Sequence, residues 1–195
     1  PAPAVPLHLS GPRGKYAVQV EDLSVGGTRL HSKLGRAQLD SASTLTYLPK
    51  DVYSDVRKAI EGFCRRQAGG CGGGALPPSE PDVECWRARG LQPMGTKGFP
   101  EVTWILAGGV EARWPPKSYL LRQGQAPERW CYAFAQTDPL PDGSHLVLGA
   151  SWMVDRELLF DVGHGQLGLG KATCSGGASR RRRGGAAKGA AAGRT

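Results

Sequence analysis

Short apolar runs broken by glycine and proline recur along this chain, and their period is mostly two. Residues 16–25 alternate apolar and polar positions and predict a strand, with Gly26-Gly27 supplying a hairpin turn before Thr28-Arg29-Leu30. Two strands are expected to lead into Asp40. The period then changes: Val52, Val56, Ala59, Ile60 and Phe63 fall at helical spacing behind Pro49-Lys50-Asp51, which predicts a short amphipathic helix over 50–63 ending near Cys64. Residues 69–81 are rich in Gly and Pro and read as a loop. Further strands are expected at 99–106 and 111–114 around a turn at Ala107-Gly108-Gly109, with Pro115-Pro116 ending that pairing. The series continues at 119–121, 130–134, 145–149, 157–162 and 165–169, with no internal repeat.

Composition agrees with many strands joined by turns: the 195 residues include 29 glycines and 15 prolines. That length holds one sizeable core. The chain is expected to divide into a linker (1–15, opening Pro1-Ala2-Pro3), one lobe (16–174) and a disordered basic tail (175–195). Of the net charge of +8, Arg180, Arg181, Arg182, Arg183, Lys188 and Arg194 supply six, with no acid among them, so residues 1–174 carry only +2. The charge therefore argues for a solvated tail over a nucleic-acid-binding domain. Nucleic-acid binding through the arginine run ranks last among the functional readings.

Cys64, Cys71, Cys85, Cys131 and Cys174 show no metal-ligand spacing, so no metal is expected, and no cofactor motif is present. Widely separated cysteines in a loop-rich domain fit disulfides and an oxidising, secretory-pathway compartment: endoplasmic reticulum or Golgi, vacuole or extracellular. No signal peptide stands at Pro1, so a targeting signal is expected upstream. No apolar run reaches the roughly 18 residues needed to cross a bilayer, and membrane anchorage is left open. His8, His31, His145 and His164 are scattered, no Gly-x-Ser-x-Gly elbow exists, and Trp86, Trp104, Trp114, Trp130 and Trp152 read as packing residues.

The most informative run is Gln38-Leu39-Asp40-Ser41-Ala42-Ser43-Thr44-Leu45-Thr46-Tyr47-Leu48-Pro49. It places one carboxylate in a hydroxyl-rich turn between apolar segments. This run resembles the C-terminal copy of the Asp-Ser/Thr-Gly-Ser/Thr signature of pepsin-like aspartic proteases, with Ala42 where that family has glycine. The resemblance extends over about 16–174. Phe99-Pro100-Glu101-Val102-Thr103 and Pro115-Pro116-Lys117-Ser118-Tyr119-Leu120 resemble features of plant nepenthesin-like enzymes. Cys85-Trp86, Trp114-Pro115-Pro116, Trp130-Cys131 and Leu148-Gly149-Ala150 are similar to the plasmepsin V type. The implied fold class is all-β, the C-terminal lobe of a pepsin-like aspartic protease: one β-barrel-like lobe with short helices.

By that resemblance Asp40 is the second catalytic aspartate of an aspartic endopeptidase acting on a polypeptide substrate. Ser41 and Ser43 support the site, and Ala42 and Thr44 line the substrate side. Leu146-Val147-Leu148-Gly149 is expected to thread past the turn. The implied bridges are Cys64–Cys174 and Cys85–Cys131, leaving Cys71 free or paired elsewhere. The family's chemistry needs two aspartates sharing a proton around a water. Asp22-Leu23-Ser24, Asp142-Gly143-Ser144 and Asp161-Val162-Gly163 lack the hydroxyl-glycine pattern, so this chain supplies one carboxylate of the pair. The missing partner is expected to be an N-terminal lobe in cis or a second lobe. The competing reading is a catalytically inactive lobe acting as a binding or interaction module.

Overall fold

The computed structural model describes residues 2–10, 14–32, 34–72, 75–80, 83–87, 98–123, 129–138 and 146–172. The strands are β1 (Ala4–Ser10), β2 (Lys15–Val25), β3 (Thr28–Arg29), β4 (Gly35–Leu39) and β5 (Thr46–Pro49) before helix α1 (Lys50–Arg66). After it come β6 (Ala75–Glu80), β7 (Val83–Arg87), β8 (Val102–Leu106) and, across a 3₁₀ turn at Ala107–Gly109, β9 (Val110–Trp114). The chain closes with α2 (Pro116–Tyr119), β10 (Leu120–Gln123), β11 (Arg129–Tyr132), β12 (Phe134–Thr137), β13 (Val147–Leu148), α3 (Ala150–Met153), β14 (Arg156–Asp161) and β15 (Gln166–Lys171).

The main sheet runs β12-β5-β13-β4-β2-β1-β15-β14, with β3 and β8 also on β2 and β9 on β8. A smaller sheet runs β10-β11-β7-β6. β2 is long enough to serve two neighbours along one edge: Lys15 to Val18 pair with β1, and Val20 to Val25 with β8. A register shift between Val20 and Asp22 bends it there, the local effect of a bulge. Asp22 is buried at the bend, and its Oδ1 accepts from the Leu23 and Ser32 amides at 2.8 and 2.9 Å.

Apolar patterning explains the elements. α1 buries Val52, Tyr53, Val56, Ile60 and Cys64 on one stripe, and Asp51 in its first turn and Arg65 and Arg66 in its last complement the helix dipole. Trp104, Trp114, Trp152, Tyr119 and Phe134 are fully buried. Trp114 is the hub, its ring 5.5–5.7 Å from those of Trp104, Tyr119 and Phe134, with Nε1 donating to the Ser151 carbonyl at 2.9 Å. Such tilted and edge-to-face pairs add about 0.5–1.5 kcal/mol each beyond area burial.

Three expectations are corrected. Residues 4–10, expected within a linker, form β1, because Val5 reaches the core and the backbone pairs with both β15 and β2. Residues 75–80, expected as loop, form β6. Pro77 and Pro78, which have no N–H to donate, fall in the gap of its pairing with β7, between Leu76 and Glu80. Cys64 bonds to Cys71 rather than to Cys174. Gly69, Gly70 and Gly72 all take positive φ, which turns the chain sharply after α1 and returns Cys71 to the helix end. Cys174 and the tail lie outside the described residues. Cys85 bonds to Cys131 across β7 and β11, the expected bridge.

Candidate functional site

The Asp40 turn joins β4 to β5 where the distant strand β13 inserts between them. β13 lies between β4, which it parallels (Val147 beside Gln38, Leu148 beside Leu39), and β5, which it opposes through Val147 and Tyr47. The Gln38 and Asp40 amides donate to the Leu146 and Leu148 carbonyls at 2.9 and 3.1 Å. The expected passage of 146–149 past the turn is the arrangement found.

Within the turn, Asp40 is half-buried and both its carboxylate oxygens are engaged. Oδ1 accepts from the Ala42 amide at 3.0 Å and Oδ2 from the Ser43 hydroxyl at 2.9 Å. The Ser43 amide closes the turn on the Asp40 carbonyl at 3.2 Å. A carboxylate held by its own turn in this way is oriented before any ligand arrives. Ser41, Ala42 and Thr44 are exposed at the tip. Ala42 is not among the non-glycine residues with positive φ, which among the described residues are His31 and Asp155. Alanine therefore occupies this position without left-handed strain.

Support from beneath comes from Gly149, inside the run expected to pass the turn, from Ala150 next to it, and from Thr46 and Ser151, to which no role was assigned from the residues alone. Ala150 and Ser151 amides donate to the Ser43 and Thr44 carbonyls at 2.7 and 3.1 Å. Gly149 lies so close that a Cβ there would stand 2.0 Å from the Leu45 carbonyl oxygen. The buried hydroxyls form a chain: the Gly149 amide donates to Thr46 Oγ1 at 3.3 Å, Thr46 Oγ1 meets Ser151 Oγ at 2.9 Å, and Ser151 Oγ donates to the Ala133 carbonyl at 2.8 Å. Because the single Ser151 hydroxyl proton goes to Ala133, Thr46 is the donor in the middle link. The same Ala133 carbonyl accepts the Thr46 amide at 3.1 Å, so β5, α3 and the β11–β12 junction are tied behind Asp40. Ser151 follows directly on the Leu148-Gly149-Ala150 run that carries the resemblance, and its hydroxyl had no role assigned.

No second carboxylate hydrogen-bonds to Asp40 among the described residues. Asp22 serves the β2 bend, and Asp161 accepts from the His164 amide and ring nitrogen at 3.0 and 2.9 Å. Those His164 bonds hold the Asp161 carboxyl below the usual aspartate range. Among the described residues the site is one oriented carboxylate with no acid partner beside it.

The largely β architecture, with β13 threaded behind an Asp-Ser turn, defines a pepsin-like aspartic-protease-type lobe. Residues 15–171 match the family described as xylanase inhibitor C-terminal, and the chain belongs to that family. Among solved structures it is similar to basic 7S globulin from soybean (17% identity, TM-score 0.67, 87% of this chain and 42% of that one). It is also similar to conglutin gamma from lupine seeds (18%, 0.68, 86% and 40%) and to edgp (13%, 0.66, 87% and 45%). The chain thus spans less than half the length of each of these proteins, and at such identities the likeness shows the fold alone.

Proposed function

We propose that this chain is a non-catalytic pepsin-like lobe that serves as a binding module for a protein partner. The observation that carries the reading is membership, over 15–171, of a family named for inhibitors of xylanase, that is, for proteins that bind an enzyme. One feature of the site supports it: the glycine of the protease signature is replaced by Ala42 at the exposed tip. An enzyme of the xylanase class is the partner class the family name suggests. The two disulfides support residence in an oxidising secretory compartment. No helix among the described residues is long and apolar enough to cross a membrane.

A second reading is the C-terminal half of an aspartic endopeptidase, completed by an N-terminal lobe in cis. It is favoured by the Asp40–Ser43 geometry and by the double length of the matched structures. One experiment separates the two. The full-length product is assayed for cleavage of an unstructured protein at acid pH and for saturable binding to a panel of xylanases, each with and without Asp40→Asn. The module reading expects binding and no Asp40-dependent cleavage. Cleavage abolished by Asp40→Asn overturns it in favour of the protease.

A further inference from the structure

On the flank opened by β9, α2 and the β14–β15 hairpin lies a cleft of about 510 Å³ that takes no part in the Asp40 site. Its apolar walls are Pro3, Pro115, Val154 and Leu169, and its charged groups are Glu101, Glu111, Arg113, Lys117, Asp155, Arg156 and Lys171. Most of these charges are exposed and locally balanced: Lys117 pairs with Asp155, and Arg113 sits 3.7 Å from Glu101. Arg156 differs. Its guanidinium lies 4.2 Å from the centre of the buried Trp152 ring, Nε donates to the Trp152 carbonyl at 3.1 Å and Nη2 to the Arg113 carbonyl at 2.7 Å.

Those two bonds use two of the five guanidinium donors. Among the described residues no carboxylate pairs with Arg156, and burial alone pulls its pKa down to about 10. A half-buried guanidinium with no counter-ion leaves its remaining donors open to a ligand that supplies the opposite charge. Here the ring and the two carbonyls fix the guanidinium plane in advance, and Val154 beside it leaves an apolar side chain 42% exposed. A planar, pre-oriented guanidinium fits a carboxylate better than it fits a point charge, and an apolar wall beside it suits a neighbouring side chain.

We infer that this cleft is a docking site for an acidic peptide segment, in which an Asp or Glu carboxylate of a protein partner seats on Arg156 and an adjacent apolar residue rests on Val154 and Leu169. The inference rests on the binding-module reading and names the part of the surface that meets the partner. Arginine paired to a carboxylate in a partly dry pocket is a common anchor of protein interfaces.

The probe is a capped tripeptide, acetyl-Leu-Asp-Leu-amide, titrated into the full chain while the side-chain Nε–H resonances of arginine are followed by NMR, with acetyl-Leu-Asn-Leu-amide as the neutral counterpart. The expected result is a saturable shift of Arg156 Nε–H and of the Val154 and Gly170 amides with the aspartate peptide, at least about tenfold weaker with the asparagine peptide and with Arg156→Gln. The two-peptide comparison stands even if Arg156→Gln fails to fold, because it needs no variant. Equal response to both peptides, or none, overturns the inference. Saturable binding of inorganic phosphate without binding of the aspartate peptide overturns it in favour of a simple oxyanion site. Because no xylanase is used, a negative partner assay in the preceding experiment leaves this result readable on its own.

Discussion

Replacing Gly149 with alanine asks whether the Asp40 turn is held from beneath. The torsions of Gly149, φ −84° and ψ −173°, are open to any residue, so the added methyl brings no backbone strain of its own. The whole cost is contact. The new Cβ would stand 2.0 Å from the Leu45 carbonyl oxygen and 2.7 Å from the Ser43 carbonyl oxygen, where 3.0 Å is the practical limit. The two backbones must therefore part by about 1 Å. That stretches the Ala150-to-Ser43 and Ser151-to-Thr44 bonds, now 2.7 and 3.1 Å, beyond useful length. Two backbone bonds lost at about 1–3 kcal/mol each, partly relieved by relaxation, put the destabilisation at about 3–5 kcal/mol. For a chain of this size that lowers the melting temperature by about 10 °C. Urea denaturation and calorimetry measure it, with Gly163→Ala as a near-neutral control, since a Cβ there meets only Asp161 Oδ1 at 3.8 Å. A Gly149→Ala protein within about 1 kcal/mol of the parent, with unshifted Asp40 and Ser43 amides, refutes the argument.

Three further outcomes are expected. Removing Cys85–Cys131, which closes a separation of 46 residues, should cost about 4 kcal/mol and removing Cys64–Cys71, which closes 7, about 2 kcal/mol. Non-reducing peptide mapping checks the pairing, and a Cys64–Cys174 link would disprove it. Ser151→Ala strands the Thr46 hydroxyl and removes one bond to Ala133, for a loss of about 1–3 kcal/mol in urea denaturation, whereas Thr44→Ala at the exposed tip stays near zero. His164→Ala removes the ring donor, the largest cause that depresses the Asp161 carboxyl from its ordinary value of 3.8, and keeps the backbone amide bond, so its NMR titration moves part of the way up. A depressed carboxyl supports the fold at pH above its unfolded value and loses that support as pH falls through its folded value, so the difference between the two proteins appears below about pH 4. An unmoved Asp161 titration would show that the His164 ring is not the cause.

Strands with an alternating pattern and a buried stripe were legible from the residues, as at 16–25, 99–106 and in α1. Elements fixed by long-range pairing were not. β1 fully buries only Val5, with Leu7 partly buried against the core, and the prolines at positions 1, 3 and 6 read as a linker until β15 is set beside it. β6 has two prolines inside it and exists through the backbone of β7. The expected single strand at 130–134 divides at Ala133, whose amide turns to the Tyr119 carbonyl and whose carbonyl turns to Thr46 and Ser151. Asp40, Ser43 and the passage of 146–149 were found through a family signature. Thr46 lies inside the signature run and Ser151 just beyond Leu148-Gly149-Ala150, yet neither role was legible, because a buried hydroxyl becomes meaningful only when the partner 105 residues away is in place. The Cys64–Cys71 bridge was missed for a related reason: the tight return depends on three glycine torsions, which composition records and spacing does not.

The insertion of β13 between β4 and β5 also orders events during synthesis. Thr46 leaves the ribosome 103 residues before Gly149, the residue whose amide it receives. At about 5–20 residues per second the two flanking strands wait about 5–20 s with an empty slot between them. Local contacts in α1 and the β8–β9 hairpin form in that interval, but the Asp40 turn has no floor until the last quarter of the lobe arrives. The nascent chain therefore exposes two bare strand edges for seconds, a period in which chaperone capture competes with wrong pairing.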